Sequence, residues 1–254
     1  MAITMSPQDY ATAFRVLAAT ARHPENIGRL VEERLLPHLP KHPALLDVGA
    51  GSGQVAARLA PHFGSLTLLE PNQNQLAGLQ LEKAKVLVEP LERYHSSEQY
   101  ELVICSHVLY HVPLSDWGAF IDRLLTFVRP GGYCLILMTA ARGQSYELCR
   151  DFTEPQPFSD RVVEAVRQRQ LPHEVIAMMA GFSTKTFEEM VTLCRFFVFE
   201  GCYTAEQLAA MSEDEVRVME EKIRGHAERC RGADGLYRLD QDEDLIIIPK
   251  AANA

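Results

Sequence analysis

The sequence has no apolar stretch approaching the roughly 20 residues that span a bilayer, so no membrane helix is expected. Its first ten residues, MAITMSPQDY, carry neither a charged leader nor an apolar run, so a cleaved signal peptide is not expected. Lys and Arg form no basic stripe. With 25 of them against 34 Asp and Glu, the formal charge of −9 disfavours nucleic acid as a partner and favours solubility. The six cysteines (Cys105, Cys134, Cys149, Cys194, Cys202 and Cys230) include no C-x-x-C pair, which speaks against a zinc knuckle or a redox dithiol. Several sit in apolar runs and read as small core residues, as suits a reducing cytoplasm. No Gly-x-Ser-x-Gly elbow, P-loop or zinc signature occurs, and nothing suggests a covalent nucleophile. Internal repeats and low-complexity segments are also missing.

What is present is a large apolar fraction, 47% of 254 residues, enough for one α/β domain with an inserted or terminal lid, or for one domain plus a small partner. Ser6-Pro7 reads as an N-cap and first helical residue, followed by an amphipathic stretch through Tyr10, Phe14 and Leu17. A second amphipathic stretch, Ile27 to Leu35, stops near Pro37. From Ala44 the rhythm becomes strand and helix in alternation. Ala44–Val48, Leu66–Leu69, Val86–Val88, Glu101–Ser106 and Tyr133–Met138 read as buried strands. Helices are predicted over Gln54–Ala60, over Leu76–Leu81 and along the stripe Trp117, Phe120, Ile121, Leu124, Leu125, Val128, which Arg129-Pro130-Gly131-Gly132 breaks. Alternation with wholly apolar strands predicts a parallel sheet covered on both faces. Further on, Val162–Val166 marks a helix, Glu174–Met179 a sixth strand and Phe187–Phe199 another helix. Thr204-x-x-Gln207 and Ser212-x-x-Glu215 resemble capping boxes. Leu236–Leu239 and Leu245–Ile248 flank the polar run Asp240–Asp244 as a terminal hairpin or bulged strand. This divides a single domain into an N-terminal helical cap (1–41), a core (42–183), a helical lid (184–232) and a terminal hairpin strand (233–254).

Asp47-Val48-Gly49-Ala50-Gly51-Ser52-Gly53 follows the first strand and opens a helix. Glycines there permit a tight turn and close approach of a ligand. Gln54 takes the place of the third glycine of the dinucleotide pattern, which disfavours a pyrophosphate cradle and a nicotinamide cofactor and suits an adenosyl amino acid. Glu70 ends the second strand some twenty residues on, where an acid can accept both hydroxyls of a ribose.

Taken in order, LLDVGAGSG, LTLLEP, YELVICSHVLYHV and VRPGGYCLIL resemble the motifs of class I S-adenosylmethionine-dependent methyltransferases over roughly Ala44–Met138. The resemblance implies a Rossmann-like, seven-stranded, mostly parallel sheet whose last strand is antiparallel, with helices on both faces, N-terminal helices and a helical insertion before the last strand. It implies S-adenosyl-L-methionine as cofactor and S-adenosyl-L-homocysteine as product. Gly49, Gly51 and Gly53 then line the methionine part, Glu70 holds the ribose, Glu89-Pro90-Leu91 edges the adenine and Ser106 lies beneath the sulfonium. Asp47 and Pro71 complete the cofactor set. A narrower stretch of features is similar to the histamine N-methyltransferase-like small-molecule methyltransferases: Tyr10-x-x-x-Phe14, Glu70-Pro71…Gln75, Leu109-Tyr110 and the final IIIP. That similarity adds Gln75 to the cofactor contacts. It sets His107 at an active-site Gln, Gln241 roughly at a final-strand Asn, and Arg22 or His23 near an N-terminal Glu.

The remaining constellations stay open. His107 and His111, four apart, suggest a metal pair, but no third ligand stands at suggestive spacing and no metal site is expected. They read instead as lining the active-site mouth, or His111 as a surface imidazole. Phe196, Phe197, Phe199 and Tyr203 wall a substrate or pack a lid helix. One acid of Asp240–Asp244 could face the site. The expected reaction is in-line methyl transfer to a nitrogen or oxygen of a small molecule, with His107 and Tyr110 as the catalytic pair and Tyr10, Phe14, His23, His111, Phe197 and Gln241 on the substrate side. The alternative is a non-catalytic S-adenosylmethionine-binding or regulatory protein on the same fold. The sequence is silent on oligomeric state.

Overall fold

The computed structural model describes residues 7–76, 79, 81–152, 158–203 and 205–252. In chain order the elements are α1 (Pro7–Thr20), α2 (His23–Leu30), β1 (Ala44–Val48), α3 (Gln54–Leu59), β2 (Ser65–Leu69), β3 (Ala84–Leu87), β4 (Tyr100–Ser106), α4 (Trp117–Phe127), β5 (Val128–Thr139), α5 (Gln144–Arg150), α6 (Ser159–Gln168), β6 (Glu174–Thr184), α7 (Phe187–Cys202), α8 (Ala205–Ala210), α9 (Glu213–Arg229) and β7 (Tyr237–Pro249). The strands form one seven-stranded sheet in the order β3-β2-β1-β4-β5-β7-β6. The ladders β3–β2, β2–β1, β1–β4 and β4–β5 are parallel. β7 runs against β5, since Gly131 N–H donates to Lys250 O near one end and Ala140 N–H to Asp242 O near the other. None of the described helices is long and apolar enough to cross a membrane.

The chain divides into two compact units, one within 23–138, 158–178 and 243–254, the other within 1–22, 139–157 and 179–242. In the first, successive strand residues feed opposite faces. Leu46, Val48, Val103, Cys105, Cys134 and Ile136 pack against α4 and α6. Leu45, Leu66, Leu68, Leu102, Ile104 and Leu135 pack against α2 and α3. Burial on both faces explains the unbroken apolar runs, each large side chain contributing about 1.5–3 kcal/mol. The second unit has its own core of Phe182, Met190, Leu193, Val198, Ile223 and Leu239. α7 and α9 start on capping boxes, Thr186 with Glu189 and Ser212 with Glu215. Thr204 and Ser6, the other caps read from sequence, lie outside the described residues.

Three local expectations change. Leu76–Leu81 is not helical in its described part. Asn72 Oδ1 accepts Asn74 N–H at 3.1 Å, and consecutive i to i+3 bonds make turns, so local side-chain bonding competes with a helix. The helix stops ahead of Arg129–Gly132 as read, but the next strand starts at Val128, before this segment rather than after it. The segment loops out inside β5, Val128 facing Tyr100 and Tyr133 facing Leu102. Of the hairpin and bulged-strand readings of the last segment, the hairpin falls away: it is one strand, because Leu239, Gln241 and Glu243 alternate inward through the acidic run.

At the start of the sheet, buried Glu101 accepts Ala44 N–H at 2.7 Å and Arg129 Nη1–H at 2.6 Å, tying β1, β4 and β5. Glu101→Ala leaves the Ala44 amide unsatisfied and is expected to cost about 1–3 kcal/mol in urea unfolding. A loss below about 0.5 kcal/mol, typical of neutral surface changes, would contradict this role.

Candidate functional site

The site is built at the carboxyl ends of β1, β2 and β4. Val48 stands beside Leu69 and beside Cys105, so the three strands release their loops together. Gly49 N–H and Ala50 N–H both donate to Leu69 O, at 2.8 and 3.0 Å, which folds the glycine loop over the end of β2. Gly49, Gly51 and Gly53 all have left-handed φ, at 69°, 55° and 75°. A Cβ on Gly49 would meet Val108 and one on Gly53 would meet Leu79, each at 2.3 Å, so these two let protein pack on protein. A Cβ on Gly51 would meet nothing within 4 Å. Gly51 alone borders open space, the place where a ligand can approach the main chain.

Glu70, buried just beyond β2, accepts Gly51 N–H at 2.9 Å through Oε2 and Asn72 N–H at 2.8 Å through Oε1. Each oxygen keeps a second lone pair. Asp47 is buried on the α3 side of β1, and the Ala56 N–H in the first turn of α3 bonds it. Burial, then the charge of Glu70, pushes its carboxyl up to about 7. The Ser106 hydroxyl, at the end of β4, is buried with no hydrogen-bond partner among the described residues, as is Asp47 Oδ2. Pro71 is exposed, whereas Gln75, Glu89 and Pro90 are half-buried. Leu91 packs in the core, and its carbonyl is taken by Arg123 Nε–H at 2.9 Å.

His107 follows Ser106 with φ 56°, unusual for a residue with a Cβ, and is pinned by its N–H to Leu137 O at 3.0 Å. Its Nε2 lies 3.0 Å from Glu243 Oε1, on a side chain with no exposed surface, and its Nδ1 lies 3.4 Å from the Tyr110 hydroxyl. His23, the first residue of α2, sets its ring edge-on to His107 with centroids 5.3 Å apart. Burial, reinforced by neighbouring His107, lowers the His23 value to about 4, against the opposing pull of Glu243. Thus His107 meets His23 and Glu243, while His111 is exposed on the short turn Leu109–His111.

Phe14, Phe197 and buried Gln241 belong to the other unit, where Phe197 packs on Phe182 at 5.4 Å and on Phe196 at 5.9 Å. The Tyr10 side chain lies outside the described structure. Glu243 was visible in sequence only as one of several acids. The signal that singles it out is period-two alternation continued inward from Tyr237 and Leu239.

A family model described as a methyltransferase domain matches residues 19–189. The ubiquinone biosynthesis O-methyltransferase of Rickettsia akari (strain Hartford) is 27% identical over 125 residues, which are 46% of this chain and 49% of that protein. Its counterpart from Rickettsia prowazekii (strain Madrid E) is 30% identical over 101 residues, 36% of this chain and 38% of that one. The chain thus spans about half the length, or less, of these curated relatives. Among solved structures, N-methyltransferase NodS from Bradyrhizobium japonicum WM9 in complex with S-adenosyl-L-homocysteine superposes with a TM-score of 0.54 at 12% identity, covering 95% of this chain and 98% of that chain. Phosphoethanolamine N-methyltransferase 2 of Haemonchus contortus, in complex with S-adenosyl-L-methionine, gives 0.53 at 18% identity, covering 89% of this chain and 52% of that one. Likeness at these identities shows the fold.

The raised value of Asp47 has a stability consequence. In the unfolded chain an Asp titrates near 3.9, so unfolding releases a proton between about pH 4 and about 7. The Asp47 contribution to stability is present below that window and is lost as pH rises through it. Asp47→Asn keeps an acceptor for Ala56 N–H without the charge. Chemical denaturation of the ligand-free protein should therefore show the variant gaining on the parent as pH rises from about 4 to about 7. A difference that does not vary with pH would contradict the assignment.

Proposed function

The chain belongs to a family of S-adenosylmethionine-dependent methyltransferases, and we propose that it passes the donor's methyl group to a nitrogen or oxygen of a small molecule. The observation that carries this reading is a juxtaposition at adjacent strand ends. A glycine loop that borders open space at Gly51 stands beside a loop that carries His107, backed by Glu243.

The residues present suit the donor. Asp47 and Glu70 put two carboxyl groups by the loop, which favours a ligand bearing ammonium and sulfonium charges over a pyrophosphate. The buried Ser106 hydroxyl has hydrogen-bonding capacity to spare. Proteins named for oxygen and for nitrogen acceptors stand among those the chain resembles, which supports a small acceptor of either kind. The acidic balance of the chain supports the same choice over nucleic acid.

Bound at this loop, the donor supplies a methyl group already activated by a sulfonium. The chain's own residues bind, align and take a proton. Glu70 holds the two ribose hydroxyls with its remaining lone pairs, and Gly51 allows the main chain to approach. Gly49, Gly53, Pro71, Gln75 and the Glu89–Leu91 segment shape the rest of the cofactor pocket. Glu243, as a carboxylate, accepts Nε2–H from His107 and so fixes the tautomer whose Nδ1 carries the lone pair. That nitrogen takes the proton of an acceptor that arrives protonated, and the Tyr110 hydroxyl, 3.4 Å away, orients the acceptor atom. Alignment and exclusion of water supply several kcal/mol of barrier lowering. His23 and His111, in the same compact unit as His107, stand on the acceptor side in this reading.

Two substitutions test the two halves separately. Glu70→Ala is expected to weaken calorimetric binding of S-adenosylmethionine by about ten- to a hundred-fold, the cost of a lost hydrogen bond to a charged acceptor. Unchanged affinity would overturn the ribose assignment. His107→Gln should keep donor affinity and lower kcat by about 10²-fold or more if the imidazole is a base. A drop below about threefold would reduce His107 to a wall of the site.

A further inference from the structure

We infer that His23, His107 and Glu243 form a binding site for one divalent first-row metal ion of the zinc class. The three side chains come from the start of α2, the loop after β4 and the middle of β7, and all lie in one compact unit. One ligand atom of each lies within 4.8 Å of the other two. A tetrahedral zinc with bonds of about 2.0–2.1 Å holds its ligands roughly 3.3 Å apart, so modest closure of this cluster suffices. One edge, His107 Nε2 to Glu243 Oε1, already stands at 3.0 Å.

The donor chemistry selects the metal. Two imidazoles and a carboxylate are a ligand set of catalytic zinc sites, which leave a fourth position for water or a small ligand. Calcium and magnesium take oxygen ligands and are disfavoured by two nitrogens. Two features mark the cluster as more than a chance meeting of polar groups. Glu243 has no exposed surface, and a buried carboxylate costs several kcal/mol of desolvation, which a shared dication offsets. His107 is held in a left-handed backbone conformation, a strain of the kind that persists where the surrounding structure requires it.

Metal binding changes what His107 can do. The ion takes the Nε2 lone pair, and the Nε2 proton passes to Nδ1. The metal-loaded and proton-accepting states of this imidazole therefore exclude each other. The binding claim does not rest on methyl transfer, and its test needs neither donor nor acceptor.

The test uses the full chain, stripped with a chelator and titrated with Co²⁺ by absorption and with Zn²⁺ against a chromophoric chelator. One equivalent is expected to bind with a Kd at or below about 1 μM. The cobalt spectrum should show d–d bands without sulfur-to-metal charge transfer. Glu243→Gln and His23→Asn should each weaken binding about 100-fold, roughly two decades of affinity. Because a buried substitution can disturb folding, circular dichroism accompanies each variant, and X-ray absorption of the cobalt-loaded parent gives the ligand atoms without any mutation. Nitrogen and oxygen ligands support the site. No binding below about 100 μM, a thiolate spectrum or retained affinity in both folded variants would overturn it.

Discussion

Strands buried on both faces admit few polar side chains along their lengths, and each needs a partner, as Thr67 in the middle of β2 has in the Tyr100 hydroxyl. β1, β2 and β4 spend their lengths on Leu, Val and Ile that feed the two cores. Their chemistry is pushed to the carboxyl edge, where Asp47, Glu70, Ser106 and His107 follow one another across adjacent strands. The register that buries the apolar residues is the same register that gathers these polar ones. A shift of one residue would turn each strand's side chains to the opposite face and undo both.

Within that edge, main-chain geometry does much of the work. The loop after β1 hangs on Leu69 O and on the Glu70 carboxylate, so its shape is fixed by β2 as much as by its own glycines. The three glycines have different tasks. Two make room for Val108 and Leu79, and one borders space. A motif that reads as uniform in sequence thus separates into packing glycines and one that borders open space only once the neighbouring side chains are placed.

Much of the fold was legible in the sequence, because strands buried on both faces write themselves as short apolar runs and the helix stripe from Trp117 is amphipathic. The meeting of the glycine loop with Glu70 was legible because both belong to one local run of motifs. What escaped depends on other forces. The turn after Glu70 is decided by Asn72 bonding its own main chain, which competes with helix formation and leaves no periodic trace. The Arg129–Gly132 bulge is absorbed by pairing with β4, a partner that composition does not reveal. Glu243 sits 136 residues from His107, and spacing along the chain, which made His111 the obvious partner, carries no information about such a meeting. The alternation in β7 contained the hint, yet an acidic run reads first as a solvated turn.

Methyl transfer from this site to a small molecule is read out by following the methyl group itself. Purified protein is incubated with methyl-tritiated S-adenosylmethionine and a low-molecular-mass metabolite fraction, and the label is traced by chromatography. Tritium is expected in a small-molecule product, with S-adenosylhomocysteine formed in equal amount and neither formed without protein. A protein that binds the donor yet leaves all the label in it, across metabolite fractions of differing polarity, is a binding protein and not a methyltransferase of small molecules.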